Sequence, residues 1–353
     1  MKIALVTDLH FGARNDNLKV AAHQKKFYDE VFFPYLKEHN IKEVIDLGDT
    51  FDRRRYISFT SLKAAKAMFF DPLKENGIKT HMIVGNHDAV YKNTIELNSI
   101  YLLLQEYDNV IEYEKPTDVQ IGGCDILMLP WICAGNQQET MLAIEHTKAQ
   151  IVMSHLELKG FEFMRGHIMH DGMDHKVFDK FDMVCSGHYH HKSTEGNINY
   201  LGCPYEMTWQ DYQDEKGFHV FDTETRELTR VANPYNMFYK LWYDDQEMDF
   251  DDIAKIDFDQ YKDSFVKVII KNKTNPYLFD SYIERLEKNE LINLQIVEDH
   301  LNLDLEDTDD IINEAEDTVT ILDKYVDGLE ISADKDKVKT LMRELYNEAL
   351  SIA

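Results

Sequence analysis

The sequence predicts an α/β protein, a two-layered β-sandwich flanked by helices, with a small α+β domain and C-terminal helices after it. Five short apolar runs lie in the first 190 residues, and segments with helical spacing separate them. This alternation is typical of layered α/β sheets. A segment containing Asp, Asn or His follows each run, as expected where chemistry collects at the carboxyl ends of strands. The runs are residues 3–6, 44–47, 82–84, 151–153 and 183–185.

The segments between these runs suit the helices and turns that such a sheet requires. Ser58 is a candidate N-cap, and Gly77 lies just past the end of the helical pattern that follows it. Gly122 and Gly123 suit a hairpin turn. The expected elements are helices over 19–39, 59–76 and 100–104, edge strands within 110–129, and antiparallel strands over 200–202, 217–222 and 228–231.

The polar segments after the five runs indicate a metal centre. They offer carboxylate, amide and imidazole ligands without a thiolate, a mixture that suits Mn²⁺, Fe²⁺, Mg²⁺ or a catalytic Zn²⁺. Two such ions that share a carboxylate are the usual apparatus for displacement at phosphorus. A single segment of this kind is usually only a turn, but five in order favour a joint site. The segments are Asp8-Leu9-His10, Gly48-Asp49, Gly85-Asn86-His87-Asp88, Ser154-His155 and Gly187-His188-Tyr189-His190.

These five motifs resemble those of the calcineurin-like metallophosphoesterases. Within that family the chain is similar to the double-strand-break-repair nucleases of the meiotic-recombination and bacterial SbcD type, and to their T-even phage counterparts. The resemblance covers the first 233 residues, including Leu129-Pro130-Trp131, and is weaker after that point. It implies the metallophosphoesterase fold and a metal-dependent DNA nuclease.

The resemblance also implies a role for each motif residue. It places Asp8, His10 and His190 on one metal ion, and Asn86, His155 and His188 on the other, with Asp49 bridging both. His87 would be the general acid. Two Mn²⁺ ions are expected, although Mg²⁺ or another divalent metal would suit the same ligands.

Asp52 is a departure from the archaeal and eukaryotic nucleases, which have a second His at this position. Phosphatases and SbcD-like proteins have Asp there, and in the phosphatases it pairs with the His of the Gly-Asn-His motif. We therefore expect Asp52 to orient His87 and to raise its pKa.

Three consecutive arginines follow Asp52 and are the candidate substrate contacts. Arg53 is expected to contact the substrate phosphate, and Arg54 and Arg55 are candidates for contacts with the DNA backbone. A solvated basic turn is the alternative for Arg54 and Arg55. The segment 157–175 is long for a connection inside a compact domain, so a functional loop is one interpretation and ordinary packing of Phe161 and Phe163 is the other.

The net charge of −27 has the wrong sign for a free-standing DNA-binding protein. Residues 1–243 contain 35 acidic and 26 basic residues, whereas residues 244–353 contain 30 and 12. Most of the negative charge therefore lies outside the expected catalytic domain. This distribution favours weak intrinsic affinity for DNA, with a partner supplying the remainder.

Four segments are expected along the chain. They are a dimetal phosphoesterase domain over 1–233, a small α+β capping domain over 234–300, an acidic linker over 301–318 and C-terminal helices over 319–353. The helices have amphipathic spacing, which suits either packing on the same chain or binding to a partner helix. The resemblance favours a partner, the coiled-coil root of an SMC-like ATPase, and it is compatible with a homodimer.

The sequence favours a cytoplasmic protein, in the host cell if a phage encodes it. The first apolar run ends at Asp8, which excludes a signal peptide, and no stretch has transmembrane length, so no membrane partner is expected. The four cysteines form no Cys-x-x-Cys pair and suit reduced thiols.

The expected function is a Mn²⁺-dependent nuclease, exonuclease or endonuclease, acting with an SMC-like ATPase on DNA ends in recombination and repair. A phosphomonoesterase or small-molecule phosphodiesterase is the first alternative and would explain the acidic charge. A metal-binding scaffold without catalysis is the second, and the presence of His87 beside all seven ligands disfavours it.

Overall fold

Two six-stranded sheets pack face to face and carry helices on their outer surfaces. The computed structural model describes residues 1–298, 326, 335, 337–339 and 341–342. In chain order the strands are β1 (Lys2–Val6), β2 (Glu43–Asp46), β3 (Lys79–Ile83), β4 (Ala89–Tyr91), β5 (Thr94–Asn98), β6 (Val110–Tyr113), β7 (Thr117–Ile121), β8 (Cys124–Leu129), β9 (Ile151–His155), β10 (Glu162–Met164), β11 (His167–Ile168), β12 (Met183–Gly187), β13 (Ser193–Glu195), β14 (Ile198–Tyr200), β15 (Gly217–Asp222), β16 (Leu228–Ala232), β17 (Phe238–Asp244), β18 (Phe265–Asn272) and β19 (Asn293–Val297).

The helices connect the strands on the outside of the sheets. Two of the connections contain a π-helical turn in the middle, at Tyr28–Phe32 and Lys66–Phe70, so each forms one long bent helix. The α-helical segments are α1 (Ala13–Asp16), α2 (Leu18–Phe27), α3 (Phe33–Glu38), α4 (Phe59–Ala65), α5 (Asp71–Glu75), α6 (Ser99–Leu103), α7 (Gln137–His146), α8 (Phe250–Lys255) and α9 (Pro276–Glu287).

The strand order confirms the predicted sandwich. The first sheet has the order β16-β15-β1-β2-β3-β6, in which β1, β2, β3 and β6 run parallel. The second has the order β13-β14-β12-β9-β8-β7, with β14, β12, β9 and β8 parallel. Side chains such as Ile45 and Ile83 from the first sheet pack against Met128 and Met153 from the second. Because parallel strands end at the same edge of a sheet, the residues after β1, β2, β3, β9 and β12 are brought together.

Several local predictions are confirmed and others are wrong. Ser58 accepts a hydrogen bond from the main-chain N–H of Ser61 and caps α4, and Gly77 has a φ of 60° after α5. Gly122 and Gly123, with φ of 58° and 82°, form the turn between β7 and β8. However, β8 is an interior strand, because it also pairs with β9. The strand expected at 200–202 is β14, which ends earlier and runs parallel to β12.

The chain after residue 233 contains both strands and helices, as expected for an α+β unit. Strands β17, β18 and β19 make a three-stranded parallel sheet. Tyr243, Val268 and Leu286 belong to a separate apolar core that this sheet forms with α8 and α9. The division into domains stays a prediction. The acidic linker and most of the C-terminal helices lie outside the described residues.

The remaining structural expectations concern cysteines and membranes. All four cysteines are buried and unpaired. Each helix in the described part of the chain is too short or too polar to span a bilayer.

Glu206 ties β17 to the rest of the chain. Its carboxylate accepts hydrogen bonds from the main-chain N–H groups of Met237 (2.5 Å) and Phe238 (2.9 Å). Burial raises the pKa of Glu206 to about 7, although these two hydrogen bonds lower it. The folded protein therefore holds this proton more tightly than the unfolded chain, whose carboxyl titrates near 4.5.

We predict that Glu206→Gln changes how stability depends on pH. The wild-type free energy of unfolding should fall as the pH rises between about 4.5 and about 7, because folding keeps a proton that the unfolded chain releases. The amide cannot ionise, so the variant should gain about 3 kcal/mol relative to the wild type across this interval. Urea unfolding at both ends of the interval measures the difference. An identical pH dependence of the two proteins would contradict the prediction.

Candidate metal centre

Polar side chains from five chain segments meet at one edge of the two sheets. Four of the segments follow β1, β2, β3 and β12, and the fifth is the end of β9 itself. The backbone turns sharply after the strands, and it adopts a left-handed conformation that residues other than glycine rarely take. Such strain is typical of functional sites, where surrounding structure holds it in place. The residues with this conformation include Asp8 (φ 52°), His10 (42°), Asp49 (58°) and His188 (88°).

The first group of ligand atoms comes from Asp8, His10 and His190, and these atoms all lie within 4.8 Å of one another. Nε2 of His10 is 3.1 Å from Nε2 of His190. The buried carboxylate of Asp8 accepts hydrogen bonds from the Thr7 hydroxyl (2.8 Å) and the main-chain N–H of His188 (3.1 Å). One carboxylate and two imidazoles are therefore held in place to bind a single cation.

The second group comes from Asp49, His155 and His188, with ligand atoms again within 4.8 Å of one another. The amide oxygen of Asn86 is 2.8 Å from Nε2 of His155 and 2.8 Å from Nδ1 of His188. This group thus adds an amide oxygen to a carboxylate and two imidazoles, as predicted for the second ion.

Asp49 lies between the two groups. Its Oδ1 accepts a hydrogen bond of 2.7 Å from the main-chain N–H of His87. Its Oδ2 is 3.2 Å from Nε2 of His155 and 3.9 Å from Nε2 of His10. Because Oδ2 faces a histidine of each group, Asp49 has the position of a bridging ligand.

The hydrogen bonds of His155 show that a cation fits here. Its Nδ1 is 2.7 Å from the main-chain oxygen of Leu47 and must donate to it, which leaves Nε2 of the neutral ring with a lone pair. That lone pair faces oxygens of Asp49 and Asn86, so three acceptors point at one another. Burial lowers the pKa of His155, but the nearby Asp49 carboxylate outweighs burial and raises it to about 9. With the Asn86 oxygen in this orientation, a proton or a metal ion is required at this point.

The amide of Asn86 has two useful orientations. With its oxygen towards the two histidines it suits a cation. Turned over, its nitrogen would donate to Oδ2 of Asp49 (3.2 Å), and its oxygen would accept from Arg54 at 3.0 Å. The seven predicted ligand residues are thus all present in one place, and their donor set fits divalent metal ions.

Asp88 and Gly85 hold the metal-site loops together. The Asp88 carboxylate accepts hydrogen bonds from the main-chain N–H groups of Asp49 (2.8 Å), Thr50 (3.1 Å) and Gly85 (2.9 Å). A side chain at Gly85 would lie 2.2 Å from the main-chain nitrogen of Asp49, so only glycine allows this approach. The sequence motif includes Asp88, but the motif alone indicates no role for it.

His87 lines the cavity next to the metal site, and its surroundings differ from those expected. Nδ1 of His87 donates to the main-chain oxygen of Asp52 at 2.6 Å, and not to its carboxylate. The Asp52 carboxylate lies instead 3.5 Å from Nδ1 of His10, where it can orient a metal ligand. Burial lowers the pKa of His87, against the opposing charge of Asp49. The hydrogen bond to Asp52 does raise the pKa of His87, as expected, but it acts through the main-chain carbonyl and does not outweigh burial.

The three arginines differ in depth. Arg53 donates to the hydroxyl of Tyr56 (2.8 Å) and to the side chain of Asn15 (2.5 Å) at the cavity mouth. Arg54 lies further in, with its guanidinium 5.4 Å from the centre of the Trp131 ring. The buried Nη1 atom of Arg54 has no hydrogen-bond partner. Arg55 is exposed and also lines the cavity.

The cavity over the metal site has a volume of about 730 Å³. Asn86, His87 and His188 form part of its wall, together with Trp131 and Glu157. Of the loop 157–175, only Glu157 reaches this wall. Phe161 and Phe163 pack with Tyr189 and Tyr200, which favours ordinary packing over a role in binding.

Behind His190 lies a buried charge network that the sequence did not indicate. The Lys216 ammonium donates to the main-chain oxygen of His190 (2.9 Å) and forms ion pairs with Asp211 (2.6 Å) and Asp214 (2.8 Å). Asp214 also contacts His191 at 2.9 Å, so His191 points away from the metal site.

Comparison with known proteins agrees with this site. The model of the calcineurin-like phosphoesterase family matches residues 1–192, which include all seven ligand residues and His87. The chain belongs to this family. It is 31% identical to exonuclease subunit 1 of Enterobacteria phage T4 over 356 aligned residues, covering 99% of both chains.

Two cellular relatives are more distant. The chain is 25% identical to the DNA double-strand break repair protein Mre11 of Methanocaldococcus jannaschii, covering 82% of this chain and 74% of that protein. It is also 25% identical to the SbcD component of the SbcCD nuclease of Staphylococcus saprophyticus, covering 65% of this chain and 67% of that protein. The resemblance inferred from the motifs is confirmed, and this family member is homologous to nuclease subunits.

Proposed function

We propose that this phosphoesterase is the nuclease subunit of an ATPase–nuclease complex that processes DNA ends in recombination and repair. The main observation behind the proposal is the position of Asp49, whose Oδ2 atom faces one histidine of each ligand group. The similarity to an exonuclease subunit over 99% of the chain supports DNA as the substrate.

Two divalent ions complete this centre in our proposal. Asp8, His10 and His190 would hold one, and Asn86, His155 and His188 the other, with Asp49 shared. We propose Mn²⁺, because carboxylate, amide and imidazole ligands without a thiolate suit a metal of intermediate hardness. Bound there, the ions supply the charge that activates water and offsets that of the phosphate.

The side chains around the cavity would orient the scissile phosphate. The unpartnered Nη1 atom of Arg54 supplies a buried positive charge next to Asn86, and stacking on Trp131 fixes its direction. We therefore propose Arg54 as the contact with the reacting phosphate. Arg53 and Arg55, nearer the mouth, would contact neighbouring phosphates of the same strand.

His87 would protonate the departing sugar oxygen. Since its Nδ1 donates to the main-chain oxygen of Asp52, Nε2 is the nitrogen left for the substrate. A ring that donates from Nδ1 carries a proton on Nε2 only as the imidazolium, and the Asp52 carbonyl stabilises that form. The negative charge of a bound phosphate would stabilise it further.

The second candidate function is a phosphomonoesterase, which the net charge of −27 favours. Both candidates use the same metal centre, and the substrate distinguishes them. Linear duplex DNA, circular single-stranded DNA and a chromogenic phosphomonoester, each with Mn²⁺, form the decisive panel. Faster turnover of the monoester than of either DNA would refute the nuclease proposal.

We predict that His87→Ala keeps two bound ions and loses most nuclease activity. General acids contribute about 10²–10⁴-fold to rate, and His87 is not among the proposed ligands. Elemental analysis measures the metal content of the variant, and cleavage of single-stranded DNA measures its nuclease activity. His146→Ala, on the exposed side of α7, is the matched control and should behave as wild type. Loss of an ion from His87→Ala would contradict the assignment.

We further propose that the C-terminal segment 319–353 binds the coiled-coil root of an SMC-like ATPase. Support comes from its amphipathic spacing and from the match to a component of the SbcCD nuclease. Leu341, in a helical part of this segment, is 55% exposed. An exposed apolar residue at a helix surface suits a partner helix.

We predict that Leu341→Glu abolishes co-purification with the ATPase subunit while DNA cleavage by the isolated protein persists. The new charge would have to be buried without a partner in the complex. Lys337→Glu, an exposed helical residue nearby, provides a control for added negative charge. Undiminished co-purification of the Leu341 variant would contradict the proposed interface.

A further inference from the structure

Two large aromatic side chains are exposed on the segment that lines the cavity and leads into α4. Tyr56 is 63% exposed and forms part of the cavity wall, and Phe59, three residues later, is 92% exposed. We call these two residues the aromatic mouth. Exposure of a large apolar ring is unfavourable in water, so two exposed rings on a segment that lines a reaction site point to a ligand.

The turn that carries the aromatic mouth is held rigidly. The Tyr56 hydroxyl accepts a hydrogen bond of 2.8 Å from Arg53, whose guanidinium carbon is 5.0 Å from the ring centre. The Ser58 hydroxyl caps α4 and donates to Asp16 at 2.9 Å. Because these contacts fix the turn and the Tyr56 ring before binding, a base that stacks there costs the protein little conformational entropy.

The charge around the aromatic mouth indicates an anionic ligand. The same cavity is lined by five cationic residues and by only two acids, Asp52 and Glu157, in a chain whose net charge is −27. Cationic residues interleaved with aromatic rings are the usual means of binding single-stranded nucleic acid, in which the backbone contacts the charges and the bases stack. The cations are Arg14, Arg53, Arg54, Arg55 and Lys92.

We propose that the aromatic mouth stacks the bases of an unpaired DNA strand while the adjacent phosphate occupies the metal centre. Bases in an intact duplex are already stacked on their neighbours, so only a single strand or a frayed end offers free faces. This inference rests on the proposed nuclease function and names its substrate form. A protein segment docked on the rings is the competing occupant, and the surrounding cations disfavour it.

The test measures binding separately from cleavage. A single-stranded oligonucleotide containing 2-aminopurine is titrated onto the full-length protein in EDTA, where no metal-dependent cleavage takes place. Stacking quenches the fluorescence of this base. The variants are Phe59→Ala, which leaves Arg53 untouched, and the double variant Tyr56→Ala/Phe59→Ala. Phe59→Trp tests rescue, and Tyr277→Ala, a 79% exposed ring on α9, is the matched control.

We predict that the double variant binds the single strand about tenfold more weakly and loses most of the quenching, as expected for one lost base stack. The affinity for a duplex closed by hairpins at both ends should change much less. Phe59→Trp, which keeps an aromatic ring, should retain the binding and quenching that Phe59→Ala weakens, and the control should match wild type.

Several outcomes would overturn the inference. Unchanged affinity and quenching in the double variant would exclude stacking, and so would equal losses on single-stranded and closed duplex DNA. Loss of ATPase co-purification with normal DNA binding would assign the rings to a protein partner. Failure of the wild type to cleave any DNA with Mn²⁺ would refute the nuclease function, which is a separate result.

Discussion

The rest of the site depends on the position of the Asp49 carboxylate between the two groups of ligands. Its two oxygens make different contacts. Oδ1 accepts a hydrogen bond from the main-chain N–H of His87, and Oδ2 faces His155 and His10. A carboxylate between two sets of imidazoles offsets the repulsion of two cations a few ångströms apart. The sandwich fold provides this geometry because the parallel strands of both sheets end at one edge. The left-handed backbone at Asp49 and the close approach of Gly85 follow from that convergence.

Most of the metal centre could be predicted from sequence because each ligand lies at the end of a strand or within a few residues after it. A short apolar run fixes where the strand ends, and parallel topology brings the strand ends within each sheet together. The packing of the two sheets then places Asp8 and Asn86 next to His155. The same reasoning failed for β8, since an interior strand and an edge strand have similar patterns when a neighbouring strand is distant in sequence.

Side-chain direction was the part that sequence could not supply. Spacing cannot show that the Asp52 carboxylate turns towards His10 while its carbonyl accepts a hydrogen bond from His87, because both groups belong to one residue. It also cannot rank three consecutive arginines by depth, which depends on the ring of Trp131 much later in the chain. The sequence did not indicate that Lys216 is buried in ion pairs, because its partners come together only in the folded protein. The net negative charge was misleading for the same reason. It is a sum over the whole chain, whereas the cationic residues that would contact DNA line the cavity over the metal site.

Electron paramagnetic resonance of the wild-type protein loaded with two molar equivalents of Mn²⁺ tests the central claim most directly. Two ions that share the Asp49 carboxylate are magnetically coupled, and the account predicts a coupled spectrum that Asp49→Ala abolishes. A wild-type spectrum of isolated Mn²⁺ ions, or saturation at one equivalent, would contradict a shared carboxylate and the two-ion centre built on it.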